Sequence, residues 1–301
     1  MHGNASHHDG EKQTYTDGHP LDEIHYLESK IILKPDRFTS AGSFHEFGKL
    51  VRHAAAELDI AYSTDFVAGQ KPRIREVLFF DTPDFRLYKN AFILRRRIPY
   101  VDGFPTDPAE VVMKFRHPDS DVAAKVDVRP DISGTFRIKF KEELLPQHDT
   151  IGGMRSLFSH NCVFTLSREH DERRLQMMSV VHALPALAAL MKSDDEKIEL
   201  VNHTAVEEVL LDLGELHFGH GVSALANVAL WRARADHRPL VGEFSYQCKF
   251  EKRSELHGKS RKQCEKFFLQ LQQVAVAWLS LGSTKTGIVY RLNGNPPQGH
   301  E

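Results

Sequence analysis

The sequence predicts an α+β protein: a closed antiparallel β-barrel with a wet lumen and helices packed outside. Three observations carry this. Five short runs alternate cationic with other residues, as in Phe136-Arg-Ile-Lys-Phe-Lys141, where Arg137, Lys139 and Lys141 share one face and Phe136, Ile138 and Phe140 the other. These runs follow one another at the spacing of a meander. Polar side chains on one face of nearly every strand suit a water-filled barrel better than a sandwich core, and the apolar faces then call for helices outside.

The elements follow in order. A strand over about 25–34 puts Glu28 and Lys30 on one face, and a helix over about 43–58 carries a capping box at Ser43 and Glu46. A strand over 74–81 ends at the turn signal Asp81-Thr82-Pro83, and the chain returns over 91–98 through Leu94-Arg-Arg-Arg97. Arg95 and Arg97 lie on one face of that strand, about 7 Å apart. Two guanidiniums on a rigid strand suit an oligoanion such as a polyphosphate; an exposed basic edge that resists aggregation is the other reading of this segment alone.

Strands over 110–116, 123–129 and 134–142 then carry Lys114 and Arg116; Lys125, Asp127 and Arg129; and Arg137, Lys139 and Lys141. Residues 150–193 change character and read as a helical insertion. Within them Arg168-Glu-His-Asp-Glu-Arg-Arg174 is a charged turn or helix start, and Met177 to Met191 forms a buried helix that Pro185 kinks or divides. Strands resume over 196–203, 205–213, 226–235 and 240–249, with a Gly-rich turn from Gly214 to Gly221. They place Glu208 and Asp212 on one face, Arg232 and Arg234 on another, and Glu243 at the head of a run whose odd-numbered positions are polar. A last helix over 259–281 has Cys264, Phe267, Phe268, Leu271 and Val274 at core-facing spacing. Residues 1–22 read as a disordered arm and 293–301 as a flexible tail, leaving 23–292 as one domain.

Composition bounds the function. With 301 residues, 41% of them hydrophobic, the chain can bury one large core or two modest ones. A net charge of −2 gives no global attraction to nucleic acid or to an anionic membrane. No apolar run reaches the roughly 20 residues that cross a bilayer. The start lacks a signal peptide's apolar segment, and three scattered cysteines make neither a disulfide framework nor a zinc site, so a cytoplasmic location is expected. Carboxylates among many cations read either as plain ion pairs or as hard oxygen ligands for Mg²⁺ or Mn²⁺ beside phosphate-binding Arg and Lys.

The series Tyr26-Leu-Glu28-Ser-Lys30, Phe79-Phe-Asp-Thr-Pro83, Leu94-Arg-Arg-Arg97, Met113-Lys-Phe-Arg116, Glu208-Val-Leu-Leu-Asp-Leu-Gly214, Glu243-Phe-Ser-Tyr-Gln247 and Lys285-Thr-Gly287 resembles, in order, the motifs of the CYTH superfamily, the triphosphate tunnel metalloenzymes. The match runs from about residue 24 to 292. Two departures stand out: Tyr26 takes the place of that family's first acidic residue, and Ser245 and Gln247 the places of two glutamates in its acidic strand.

The resemblance implies a tunnel that binds, and with a divalent metal hydrolyses, inorganic triphosphate, a nucleoside triphosphate or thiamine triphosphate. Arg95, Arg97, Lys114, Arg116, Arg137 and Arg232 would hold phosphoryl oxygens, with Lys30 and Lys285 near the tunnel's ends. Lys30 and Glu28 would take catalytic roles, and Glu28, Glu208, Asp212 and Glu243 would hold Mg²⁺ or Mn²⁺. The missing carboxylates favour an alternative, a non-catalytic module that binds polyphosphate or a phosphorylated metabolite.

Overall fold

β1 (Tyr26–Leu33) pairs antiparallel with β12 (Pro239–Lys249) on one side and parallel with β7 (Phe136–Pro146) on the other. From β12 the sheet continues through β11 (Ser223–Ala233), β10 (Val206–His217), β3 (Arg73–Asp81), β4 (Phe92–Val101), β6 (Ala109–His117) and β8 (Met154–Leu166) back to β7. The β10–β3 pairing closes the circle into a barrel of nine strands, the closed barrel that the sequence predicts. Three short strands, β2 (Ala61–Ser63), β5 (Phe104–Pro105) and β9 (Glu199–Leu200), extend its margins. This computed structural model describes residues 20, 23–106, 108–166, 176–250, 255–256 and 258–294. The arm 1–22, apart from position 20, therefore lies outside the described residues, as do the charged turn 168–174 and the tail beyond 294.

Several expected elements take another form. The barrel is mixed rather than wholly antiparallel, because β8 inserts between β6 and β7 and leaves β7 to pair in parallel with β1. The 150–193 segment is thus not a helical insertion: its first half is β8, a barrel strand, and its second half holds α4 (Met177–Ala183) and a 3₁₀ turn at Pro185–Leu190. Pro185 divides these two, as its missing N–H requires. Residues 123–129 form no strand. α3 (Ser120–Ala124) is capped by Asp119, whose carboxylate accepts from the amides of Asp121 and Val122, and the Asp127–Arg129 ion pair lies on the surface beyond it. The strand expected over 196–203 shrinks to β9 and a 3₁₀ turn. The first helix, α1 (Ala41–Ala56), starts two residues earlier than expected, with Ser43 Oγ accepting from the amide of Ser40. The last, α5 (Gly258–Val274), stops short of 281.

The outer strand faces meet these helices. Phe47 of α1 lies 5.4 Å from Phe244, and Phe267 of α5 lies 5.4 Å from Tyr246, both partners being even-numbered residues of β12. The Tyr246 hydroxyl donates to the Cys264 carbonyl at 2.7 Å, so even the polar atom of this buried ring is satisfied.

A second, separate core fills one end of the lumen. Ile32, Val77, Phe79, Ile93, Trp231 and Val241 occupy lumen-facing positions there and pack against Val289 and Tyr290 of α6 (Lys285–Tyr290), which lies across that end. Tyr290 stacks on Tyr88 of α2 (Arg86–Lys89) at 4.0 Å and meets Phe79 edge-on at 6.1 Å. The buried Asp81 carboxylate fastens these pieces, accepting from the amides of Thr82, Leu87 and Tyr88 and, at 3.2 Å, from the Tyr290 hydroxyl. Burial lifts its pKa to about 6 against the pull of those hydrogen bonds. The Asp-Thr-Pro turn is thus the fastening of α2 and α6 to the barrel.

Candidate functional site

Alternation along the strands sends one residue in two into the lumen, and above the apolar plug most of these are charged. They border a cavity of about 250 Å³. Eight cations line it: Lys30 of β1, Arg75 of β3, Arg95 and Arg97 of β4, Lys114 and Arg116 of β6, Lys141 of β7, and Lys285 at the start of α6. Three carboxylates, Glu28, Glu208 and Glu243, join them, a formal excess of five positive charges. Glu143, fully buried behind the wall, reduces that excess to four.

Of the residues expected at the site, Glu28, Lys30, Arg95, Arg97, Lys114, Arg116, Glu208, Glu243 and Lys285 meet here. Three do not. Arg137 sits where β7 begins, its side chain 65% exposed and paired with Glu110. Arg232 follows the inward-facing Trp231, so the pleat turns it outward onto Glu207. Asp212 stands beside a β-bulge at Asp212/Gly214 and is held by Arg73 in a bidentate pair at 2.5 and 2.9 Å. The bulge has a local cause: Gly214 adopts φ +147°, and a Cβ there would lie 2.5 Å from the Ser63 carbonyl of β2. Lys30, expected near an end, lies mid-strand between Glu28 and Glu143.

Arg75, Lys141 and Glu143 were missed. The signal was present for each: Arg73-Ile-Arg75 and Lys139-Phe-Lys141-Glu-Glu143 continue the same alternation.

The ion pairs are organised strand by strand. Lys30 Nζ lies 3.0 Å from Glu28 Oε2 and 2.9 Å from Glu143 Oε2. Glu143 also pairs with Lys114, and with Arg116 at 3.5 Å, and accepts from Ser159 Oγ at 2.5 Å. Burial alone would protonate Glu143, but Lys114, Lys30 and Arg116 hold its pKa well below the usual range. Glu208 pairs with Arg75 and accepts from Trp231 Nε1 at 2.8 Å; despite burial, Arg75 and Lys285 keep it ionised. Lys285 Nζ bridges Glu243 at 2.6 Å and Glu208 at 3.4 Å, and sits 4.5 Å above the Trp231 ring.

The cations remain over-supplied. Arg95 makes no ion pair or hydrogen bond among the described residues, and its Nε is buried without a partner. Burial, then the neighbouring Arg97, pushes its pKa well below the usual arginine range. Arg97 falls to about 10, through burial and Arg75. Lys114 is pushed well down by burial and Arg116, against Glu143. Such a cluster favours any multivalent anion that can reach it.

The carboxylates do not form a resident metal centre. Among the described residues no three His, Cys, Asp or Glu side chains assemble around a point that could hold an ion. Each expected ligand is already bound to a cation: Glu28 to Lys30 and Lys141, Glu208 to Arg75, Glu243 to Lys285, Asp212 to Arg73. That donor set does not fit a dedicated divalent-cation site, in which several oxygens face the ion. Among the described residues, no helix is long and apolar enough to cross a membrane.

No protein-family model and no curated protein matches this sequence. Solved structures do resemble it. HpAC1 from Hippeastrum, described as an adenylyl cyclase candidate with a dominant triphosphatase activity, is 12% identical with a TM-score of 0.43, over 91% of this chain and 98% of that one. An adenylate cyclase candidate from Bacillus halodurans is 12% identical with a TM-score of 0.38, over 87% and 94%. Protein PH1819 from Pyrococcus horikoshii is 12% identical with a TM-score of 0.34, over 82% and 90%. Likeness of this degree carries no argument about what this chain does.

Proposed function

We propose that the cavity binds the triphosphate end of a small molecule: inorganic triphosphate, a nucleoside triphosphate or thiamine triphosphate. One observation carries this reading. Eight inward-facing cations outnumber their carboxylates, and one of them, Arg95, has a buried, unpartnered Nε. A folded protein keeps such a group only at a cost, which a bound anion removes by supplying charge-assisted hydrogen bonds. Guanidiniums of Arg75, Arg95 and Arg97 offer paired donors to phosphoryl oxygens, and Lys114 and Arg116 lie deeper along the same wall. Because the apolar plug under α6 fills one end of the lumen, the phosphate chain enters terminus first and its organic part stays towards the opposite mouth. The cations face inward, out of reach of a nucleic-acid duplex, so the partner is a small molecule.

Metal-assisted hydrolysis is the second reading. What favours it is that Glu28 and Glu243 both border the cavity, where a Mg²⁺ or Mn²⁺ ion carried in by the phosphates would meet a carboxylate only if that carboxylate gave up its lysine.

Thermal shift with triphosphate against monophosphate tests the binding. An anion held only by the folded state, at a hundred times its Kd, stabilises by about 2.7 kcal/mol. Arg95→Ala together with Arg97→Ala should abolish most of the shift; an undiminished shift would place the anion elsewhere. Phosphate release from triphosphates with Mg²⁺ or Mn²⁺ decides between capture and hydrolysis.

A further inference from the structure

Lys141 occupies an unusual position. Its Nζ lies 3.0 Å from Glu28 Oε2 and 2.6 Å from Gln247 Oε1, and 5.7 Å from the centre of the Tyr26 ring. A carboxylate, an amide carbonyl and an aromatic face thus surround one ammonium group, three kinds of partner that each favour a cation. Lys30 Nζ reaches the same Glu28 oxygen, also at 3.0 Å. The register explains the convergence: Tyr26 and Glu28 of β1 lie beside Lys141 and Glu143 of β7, and Glu28 lies opposite Gln247 of β12.

We propose that Lys141 and Lys30 together stand in for a divalent cation in this cavity, so that it binds an oligophosphate free of metal. This rests on the reading that the cavity holds an oligophosphate at all. The charge argument is direct. Two ammonium groups supply the two positive charges that one Mg²⁺ would bring, and they already hold the Glu28 carboxylate that would have to ligate it. A divalent ion entering there would have to displace two lysines while facing the cavity's excess of positive charge, a repulsion that low local dielectric strengthens. Gln247 and Tyr26 complete the arrangement: a neutral carbonyl and a ring can hold an ammonium, but give Mg²⁺ little of the anionic oxygen it prefers. Metal-free triphosphate also carries more negative charge than its Mg²⁺ complex and so matches the excess better.

Isothermal titration of the wild-type protein with inorganic triphosphate, in EDTA and in excess Mg²⁺, tests this. The expected result is a Kd in EDTA equal to or lower than that in Mg²⁺. Lys141→Gln should weaken binding in EDTA by about tenfold or more, the loss of one charge-assisted contact. Restoring acids with Tyr26→Glu and Gln247→Glu should make binding depend on Mg²⁺. Binding that EDTA abolishes in the wild type would overturn the inference while leaving the cavity's function intact. No binding in either buffer would overturn the proposed function itself. The wild-type comparison stands even where a variant fails to fold.

Discussion

Glu28 and Glu143 lie side by side across the parallel β1–β7 pair, and a single ammonium, that of Lys30, reaches both, at 3.0 and 2.9 Å. Two buried carboxylates so placed would repel if left alone. Here Lys30, Lys114, Arg116 and Lys141 divide them, and against the upward push of burial these cations hold both well below the usual carboxylate range. The wall behind the cavity is thus a neutralised lattice, and the cation left without a counter-charge, Arg95 of β4, lies in front of it.

Arg95→Ala should separate binding from stability. Removing a cation that has no partner in the unliganded protein should leave its melting temperature unchanged or raise it. Triphosphate affinity should fall by roughly ten- to a hundredfold, since hydrogen bonds to charged groups contribute about 1.5–3 kcal/mol. Titration calorimetry and a melting curve without ligand read the two effects; a lower melting temperature with unaltered affinity would contradict the assignment.

Glu143→Gln should do the opposite. It strips the counter-charge from Lys30, Lys114 and Arg116 while leaving them buried, a change that costs about 3–5 kcal/mol when one partner of a buried ionic group is lost. Urea unfolding should show the midpoint moving down accordingly. Added triphosphate should recover part of the loss by bringing negative charge to the same cations.

Affinity and stability should also diverge with pH. Burial, then Lys141 and Arg137, lowers the Lys139 pKa from 10.5 to about 8. A base with a depressed folded pKa disfavours its charged form in the fold. Its contribution to stability is therefore absent below about 8 and grows as pH rises towards 10.5. Over the same window a positive charge that acts on Lys141 and Arg97 of the cavity is lost, which weakens anion binding. Lys139→Gln should flatten both trends relative to wild type, read by melting temperature and by calorimetry from pH 7 to 10.

Tryptophan fluorescence should report occupancy. The chain has two tryptophans: Trp231 lines the cavity under Lys285, and Trp278 packs outside the barrel against Phe38 and Phe47. Triphosphate that draws Lys285 from above the Trp231 ring should change the emission. Trp231→Phe should remove the response and Trp278→Phe should keep it.

The strands were largely legible because the period of two is a local property: side chains that alternate in sequence alternate in space whatever the strand pairs with. The alternation of Arg95 with Arg97, and of Lys114 with Arg116, was enough to place all four on one surface. Arg232 shows the limit. Its alternation with Arg234 was as clear, yet Trp231 and not Arg232 faces inward, because the inner end of this lumen is itself an apolar core and accepts the ring.

What the sequence determined by itself was the presence of a charged strand face, the apolar faces of α1 and α5, and the break at Pro185, each a matter of neighbours within a few residues. Tertiary structure decided the rest. It set β8 into the barrel between β6 and β7, turned β1 and β7 parallel, and thereby brought Tyr26, Glu28, Lys141 and Gln247 around one ammonium group. It also bound the expected metal ligands to cations. These outcomes depend on pairing between residues about a hundred or more positions apart, such as Glu28 with Lys141 and Lys141 with Gln247, and on competition for partners inside a closed barrel. Local periodicity assigns a side chain to a face; only closure of the sheet determines what shares that face with it.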